Sequence, residues 1–120
     1  MGKIERPFVI SGVILGMLGM LFGIHMGISQ DFRLAPAHAH VNLVGWVSLT
    51  LFGLAYRTGI AKAGGLAVAP FWIALSAAVL FPLGIAVAVI YEQIALAIFG
   101  SLLVVLSMIL FLVNVLRARA

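Results

Sequence analysis

Cysteine is absent from this chain of 120 residues. That excludes disulfides, thiolate-held zinc, iron–sulfur clusters and covalent attachment of a c-type haem through Cys-x-x-Cys-His. Any metal must be held by imidazole, carboxylate or thioether. Charge is scarce too: charged residues make up 8% of the chain, and only Glu5, Asp31 and Glu92 are acidic. No pair of carboxylates therefore stands inside an apolar run for proton or cation transport. The sequence also lacks a Ser, His and Asp grouping suited to a nucleophilic triad, and a glycine-rich phosphate loop. Histidine occurs three times, at His25, His38 and His40, all within one short window.

What the chain has in excess is apolar surface. It is 65% hydrophobic, with a mean hydropathy of +1.31. A soluble domain of this size has too little interior to hide that much. Four nearly uncharged runs, Phe8 to Ile28, Ala37 to Tyr56, Leu66 to Ile90 and Ile94 to Leu116, each reach about 30 Å as a helix, enough to cross a bilayer core. The expectation is an all-α, polytopic membrane protein, a four-transmembrane-helix bundle in the lipid bilayer, with residues 1–120 forming its single domain. The first run is too long for a signal-peptide core, and Ser29-Gln30-Asp31-Phe32 offers no small-residue cleavage site, so it reads as a retained helix.

Basic residues set the expected orientation. Lys3 and Arg6 precede the first run, Arg57 and Lys62 follow the second, and Arg117 and Arg119 follow the fourth; only Arg33 of the seven stands opposite. The positive-inside rule then places both termini in the cytoplasm. The net charge of +4 is thereby accounted for, and no nucleic acid is expected as a partner.

Within the first run, Gly12, Gly16, Gly19, Gly23 and Gly27 fall in an arc of about 80°. Such a stripe lets two backbones approach closely. It suits packing against another helix of the same chain, with dimerisation as the alternative. Gly64-Gly65 is expected to end the inner loop, Pro82 with Gly84 to bend the third helix, and Tyr91-Glu92-Gln93 to form a very short outer turn. Ser101, Ser107 and Asn114 on the fourth helix read as interhelical hydrogen-bonding or snorkelling groups.

An imidazole in hydrocarbon marks a functional site until shown otherwise, because an unpaired polar group there is costly. His25 ends the first run, pointing away from the glycine stripe. Pro36 opens the second helix, which puts His38 and His40 in its first turn at similar depth. On a regular helix His38, Asn42, Gly45 and Tyr56 share a face adjoined by Trp46 and Gly53. His40 lies about 200° away among Val44, Val47, Leu51 and Leu54, with no polar partner from its own helix. Either the first turn is irregular or one imidazole meets something beyond the core face. A hydrogen bond to Asn42 or Glu92 would satisfy His38 as a packing residue. An imidazole among aliphatic walls is what a b-type haem requires. Copper or zinc held by His25, His38 and His40 with Glu92 is the alternative, since imidazole suits both metals.

His40-Val41-Asn42-Leu43, followed by Trp46, Gly53 and Tyr56, resembles the second helix of the haem–copper oxidase subunit I family, above all that of the nitric oxide reductase large subunit. The string from His38 to Trp46 is also similar to small cytochrome oxidase subunit I-like membrane proteins and, distantly, to the NnrS haem–copper proteins. The resemblance implies that His40 is an axial ligand of haem b, with His38, His25, Asn42 and Trp46 around the cofactor. It covers the second helix and little else: the helices carrying the family's copper, high-spin haem and second low-spin ligands have no counterpart, so a complete oxidase or nitric oxide reductase is not expected. What it implies instead is a single-haem protein of the bacterial inner membrane, in electron transfer or in gas or redox sensing, with a respiratory-chain or redox partner. The remaining ligand would come from His25, His38, Met26 or a second copy in a homo-oligomer, a dimer being favoured. A copper- or zinc-binding protein and a cofactor-free accessory subunit remain open beside it.

Overall fold

The computed structural model describes residues 4–62 and 68–118; Lys3, Gly64-Gly65, the start of the third run at Leu66 and Arg119 lie outside them. Four helices are long and apolar enough to cross a membrane: α1 (Glu5–Ser29), α2 (Ala35–Thr58), α3 (Val68–Tyr91) and α4 (Ala95–Arg117). Each coincides with one apolar run: α1 and α2 extend past both ends of theirs by up to three residues, α3 and α4 past the C-terminal end by one, and α4 begins one residue inside its run. Pro36 stands in the first turn of α2, where its missing N–H goes unmissed. α3 runs unbroken through Pro82.

The helices form two antiparallel hairpins joined side by side, and the Cα trace measures 50 × 27 × 17 Å. The structure is thus a slab rather than a rounded bundle. α1 packs along α2, the N-terminal half of α2 on α3, and α3 along α4, whereas α1 barely meets α3. In the second hairpin, a Cβ at Gly84 would stand 2.5 Å from the Ala97 backbone nitrogen, and one at Gly100 2.6 Å from Phe81 Cα. Gly84 therefore serves close approach of two backbones. The 92–94 connection is short because Glu92 ends α3 with φ +57°, its N–H bonded to Ala88 O at 3.0 Å.

At one end all four helices meet around Phe8. Its ring stacks on Tyr56 at 5.5 Å and meets Phe71 and Phe52 edge-on at 5.1 and 6.0 Å. Phe111 of α4 stacks on Phe52 at 4.4 Å. Asn114, 1% exposed, donates from Nδ2 to Tyr56 Oη at 2.9 Å, and its carbonyl accepts the Lys62 N–H at 2.9 Å. Asn114 is the interhelical hydrogen-bonding group expected of it. Ser101 and Ser107 are not: their hydroxyls donate to Ile98 O and Val104 O of their own helix, the local partners a serine finds without leaving the turn. Both ends of the described chain lie at this aromatic end, so the histidines stand at the other.

Candidate functional site around the first turn of the second helix

The glycine stripe of α1 is taken up within the chain. A Cβ at Gly23 would lie 2.9 Å from His38 Cε1, at Gly19 2.7 Å from Asn42 Oδ1, at Gly16 3.1 Å from Trp46 Cγ, and at Gly12 2.6 Å from Thr50 Oγ1. Each glycine is the hole into which one side chain of α2 fits. α2 returns the device: Gly45 receives Leu15, and Gly53 receives Val9 and Phe8. Of the five glycines of the stripe, Gly27 alone has nothing within 4 Å. The stripe is thus the intramolecular packing face, and its middle is covered against any second copy.

This zipper explains an irregularity. From Gly12 to Gly23 is eleven residues, stepping by four, three and four; from His38 to Thr50 is twelve, stepping by four each time. A four-residue step on an α-helix overshoots a full turn by about 40°, so an α-helical α2 would carry its knobs off the glycine line. The helix absorbs the extra residue by widening to a π-helix over Val41–Val47, where Ser48 Oγ also reaches back to Leu43 O at 2.8 Å. π segments inside α-helices are rare and gather at functional sites. The first turn, Ala35–His40, is regular α-helix. The irregularity therefore starts after the histidines rather than in their turn.

His38 and His40 consequently leave α2 on different sides. His38 is wedged between Gly23 and the edge of Phe22, ring centroids 5.9 Å apart, with Nδ1 buried and without a hydrogen-bond partner. The expected bond from Asn42 to the His38 ring is instead a bond from Asn42 Nδ2 to the His38 backbone oxygen at 3.1 Å. Asn42 and Trp46 are spent on the same interface. All three serve packing.

His40 turns to α3, where its half-buried ring meets Phe81 edge-on at 4.9 Å. Its surroundings correct the expectation in two ways. Nδ1 lies 2.7 Å from Pro36 O of its own helix, a polar partner one turn back. The aliphatic residues expected to wall it in do not enclose it: Val47, Leu51 and Leu54 are exposed, and Val44 is turned toward the aromatic core. Since a carbonyl oxygen only accepts, Nδ1 carries a proton, the tautomer in which an imidazole offers the Nε2 lone pair to a metal. A metal-binding imidazole is commonly oriented in this way, with the nitrogen not used for ligation donating to a backbone carbonyl.

His25 is exposed on α1, beside a small cavity of about 70 Å³ lined also by Phe22, Asp31 and Arg33. Asp31 and Arg33 form a bidentate pair, Nε to Oδ1 at 3.0 Å and Nη2 to Oδ2 at 2.9 Å. Hydrogen bonds from Arg33 hold the Asp31 carboxyl below its ordinary range, and the same bonds raise the guanidinium. The histidines do stand at similar depth: Gly23 meets His38, so His25 and His40 each lie two residues, about 3 Å of rise, from that level. They are nonetheless on three different sides. Among the described residues no group of three or more His, Cys, Asp and Glu could hold a metal ion, so His25, His38, His40 and Glu92 are not brought together.

No protein-family model, no curated protein and no solved structure matches the chain. The site must be judged on its own atoms.

A cleft of about 360 Å³ opens between α1, α2 and α3 near the histidine end, lined by Leu18, Phe22, Ala37, Val41, Pro82 and other apolar residues. No imidazole lines it. The free ring nitrogen and the roomy cleft therefore do not coincide, and His40 Nε2 belongs to the outer α2–α3 surface. Sequence reasoning missed two residues here. Pro36 was within reach, since it precedes His40 by one helical turn; Phe81 was not, being a partner from another hairpin.

Proposed function

We propose that the chain is a haem b-binding protein of the bacterial inner membrane, with His40 Nε2 as axial ligand, acting in electron transfer or in gas or redox sensing. The observation that carries this reading is the bond between His40 Nδ1 and Pro36 O, which leaves Nε2 as a free donor at fixed orientation. A haem bound there would supply a one-electron redox centre. Phe81 offers an aromatic wall, and the resemblance of the His40 to Tyr56 segment to haem–copper oxidase second helices points to the same nitrogen. The donor set of one chain fits one axial position. His38 is enclosed by α1, while His25 stands with Asp31 and Arg33.

The second ligand and the cover for the outer face of His40 are therefore assigned to a second copy of the chain. Below His40 on α2, Leu43, Val47, Leu51 and Leu54 form an exposed apolar stripe against which that copy would lie. Identical chains most often pair about a two-fold axis, which would bring two equivalent His40 side chains to one cofactor. Positive-inside charge places both termini in the cytoplasm and the histidines near the outer face of the membrane. A redox partner of the respiratory chain would exchange electrons with the haem from that side.

The test is an absorption spectrum with metal analysis of the purified protein. A Soret band, with sharpened α and β bands on reduction, is expected, and His40→Ala should remove it. Copper or zinc in place of iron, or no chromophore with full folding, would overturn the haem assignment.

A further inference from the structure

At the aromatic end of the slab, away from the histidines, a groove of about 200 Å³ runs between α1 and α2. Gly53, where the two helices come so close that a Cβ would stand 3.0 Å from Glu5 O, lies at its floor, and Val9 and Leu54 form its walls. Two guanidinium groups border it, Arg6 from α1 and Arg57 from α2, both exposed. Among the described residues the ion pair of the structure is Arg33 with Asp31, and neither Arg6 nor Arg57 takes part in one. Glu5 also lines the groove and is nearly buried, at 9% exposure.

We propose that this groove is a binding site for an anionic phospholipid, with the phosphate between Arg6 and Arg57 and one acyl chain along Val9, Gly53 and Leu54. Two cations reaching from neighbouring helices over an apolar floor match an amphiphile whose charge and chain are adjacent. A free anion would leave the apolar floor without use, and a neutral lipid would leave the arginines without a partner. Basic pockets between transmembrane helices take lipid head groups on these grounds. Glu5 narrows the choice further. Two guanidinium groups against one carboxylate leave one net positive charge, which suits a phosphodiester with a single charge better than a phosphomonoester with nearly two. The site does not depend on the haem assignment: it stands at the opposite end of the helices, contains none of the histidines, and shares only Leu54 with the apolar stripe below His40.

Native mass spectrometry of the detergent-purified protein tests the proposal, with phosphatidylglycerol and phosphatidylcholine of matched chains as probes. One retained phosphatidylglycerol per chain is expected, and the Arg6→Gln/Arg57→Gln double variant should weaken its binding about thirtyfold, the combined effect of two basic contacts with an anionic lipid. Arg6→Lys/Arg57→Lys, which keeps the charges, should recover most of that loss. Arg117→Gln removes a guanidinium from the same end of the slab but outside the groove, and should leave binding as in the wild type. The proposal is overturned if the double variant binds like the wild type, if Arg117→Gln weakens binding equally, or if phosphatidylcholine is retained as well as phosphatidylglycerol. Inorganic phosphate displacing the lipid at equal concentration would also overturn it, because the acyl groove would then contribute nothing.

Discussion

Asn114 shows how one polar residue organises the aromatic end of the slab. Its amide reaches the Tyr56 hydroxyl, its carbonyl receives Lys62, and Arg117 donates from Nη1 to Oδ1 at 3.4 Å, so one residue of α4 ties down the end of α2. Truncating it strands the buried Tyr56 hydroxyl, and an unsatisfied buried group costs about 1–3 kcal/mol. Asn114→Ala should lower unfolding stability by that amount in detergent titration. Asn114→Leu combined with Tyr56→Phe should recover part of it, since both partners then become apolar; no recovery would argue that the hydrogen bond is not the source. His40 presents the complementary case, in which a satisfied Nδ1 leaves Nε2 available. If His40 is the ligand, His40→Ala abolishes cofactor content, while His38→Ala lowers stability by opening space beside Gly23 with a smaller effect on the cofactor. Full cofactor occupancy in the His40 variant would refute the assignment.

The zipper between α1 and α2 belongs to the element. Knobs at four-residue spacing meet holes at four, three and four, and the π segment takes up the difference. Deleting Leu43, an exposed residue within that segment, would let α2 close into a regular α-helix. His38 and Thr50 would then stand eleven residues apart, stepping by four, three and four as the glycines do, so the knobs stay on the glycine line. Unchanged helix content by circular dichroism, with stability within about 1 kcal/mol of the parent, is the expected outcome. A loss of more than about 3 kcal/mol would mean that the π segment does more than take up the extra residue. Gly19→Leu tests the same interface from the other side: its Cβ would stand within 3 Å of three Asn42 atoms, and overpacking that costs about 1–3 kcal/mol is expected in detergent titration.

For the whole molecule, the proposed haem makes the number of chains per cofactor the quantity to measure. The slab is thin, the apolar stripe below His40 is exposed, and α1 has already spent its glycines on α2. A two-fold pair would therefore meet through α2 and α3 rather than through α1. Protein mass in detergent, measured with cofactor stoichiometry, should give two chains per haem. A monomer carrying one full cofactor would place the second ligand inside the chain and overturn the dimer. Orientation is tested separately: the chain has no cysteine, so single cysteines at Ser29 and Ala118 should label from opposite sides of sealed cells.

Much of this was legible without a fold. Four spans follow from hydropathy, because in lipid a backbone must satisfy its own hydrogen bonds and so becomes helical wherever the run is long and apolar enough. The faces were legible too, since helical periodicity alone put His38 with Asn42 and set His40 apart. Asn114 declared itself by being an amide in an apolar run. Even the π segment left a trace, in twelve residues of α2 set against eleven of α1, although reading it requires knowing that these two helices are partners. That pairing, and the choice of α2 over a second copy as the cover for the glycines, only the tertiary structure decided. So were the partners of His40: Phe81 arrives from a different hairpin, and the open outer wall depends on where α3 and α4 lie. Periodicity says which side of a helix a residue occupies; what stands opposite is set by packing between helices, whose sequence separation carries no such signal.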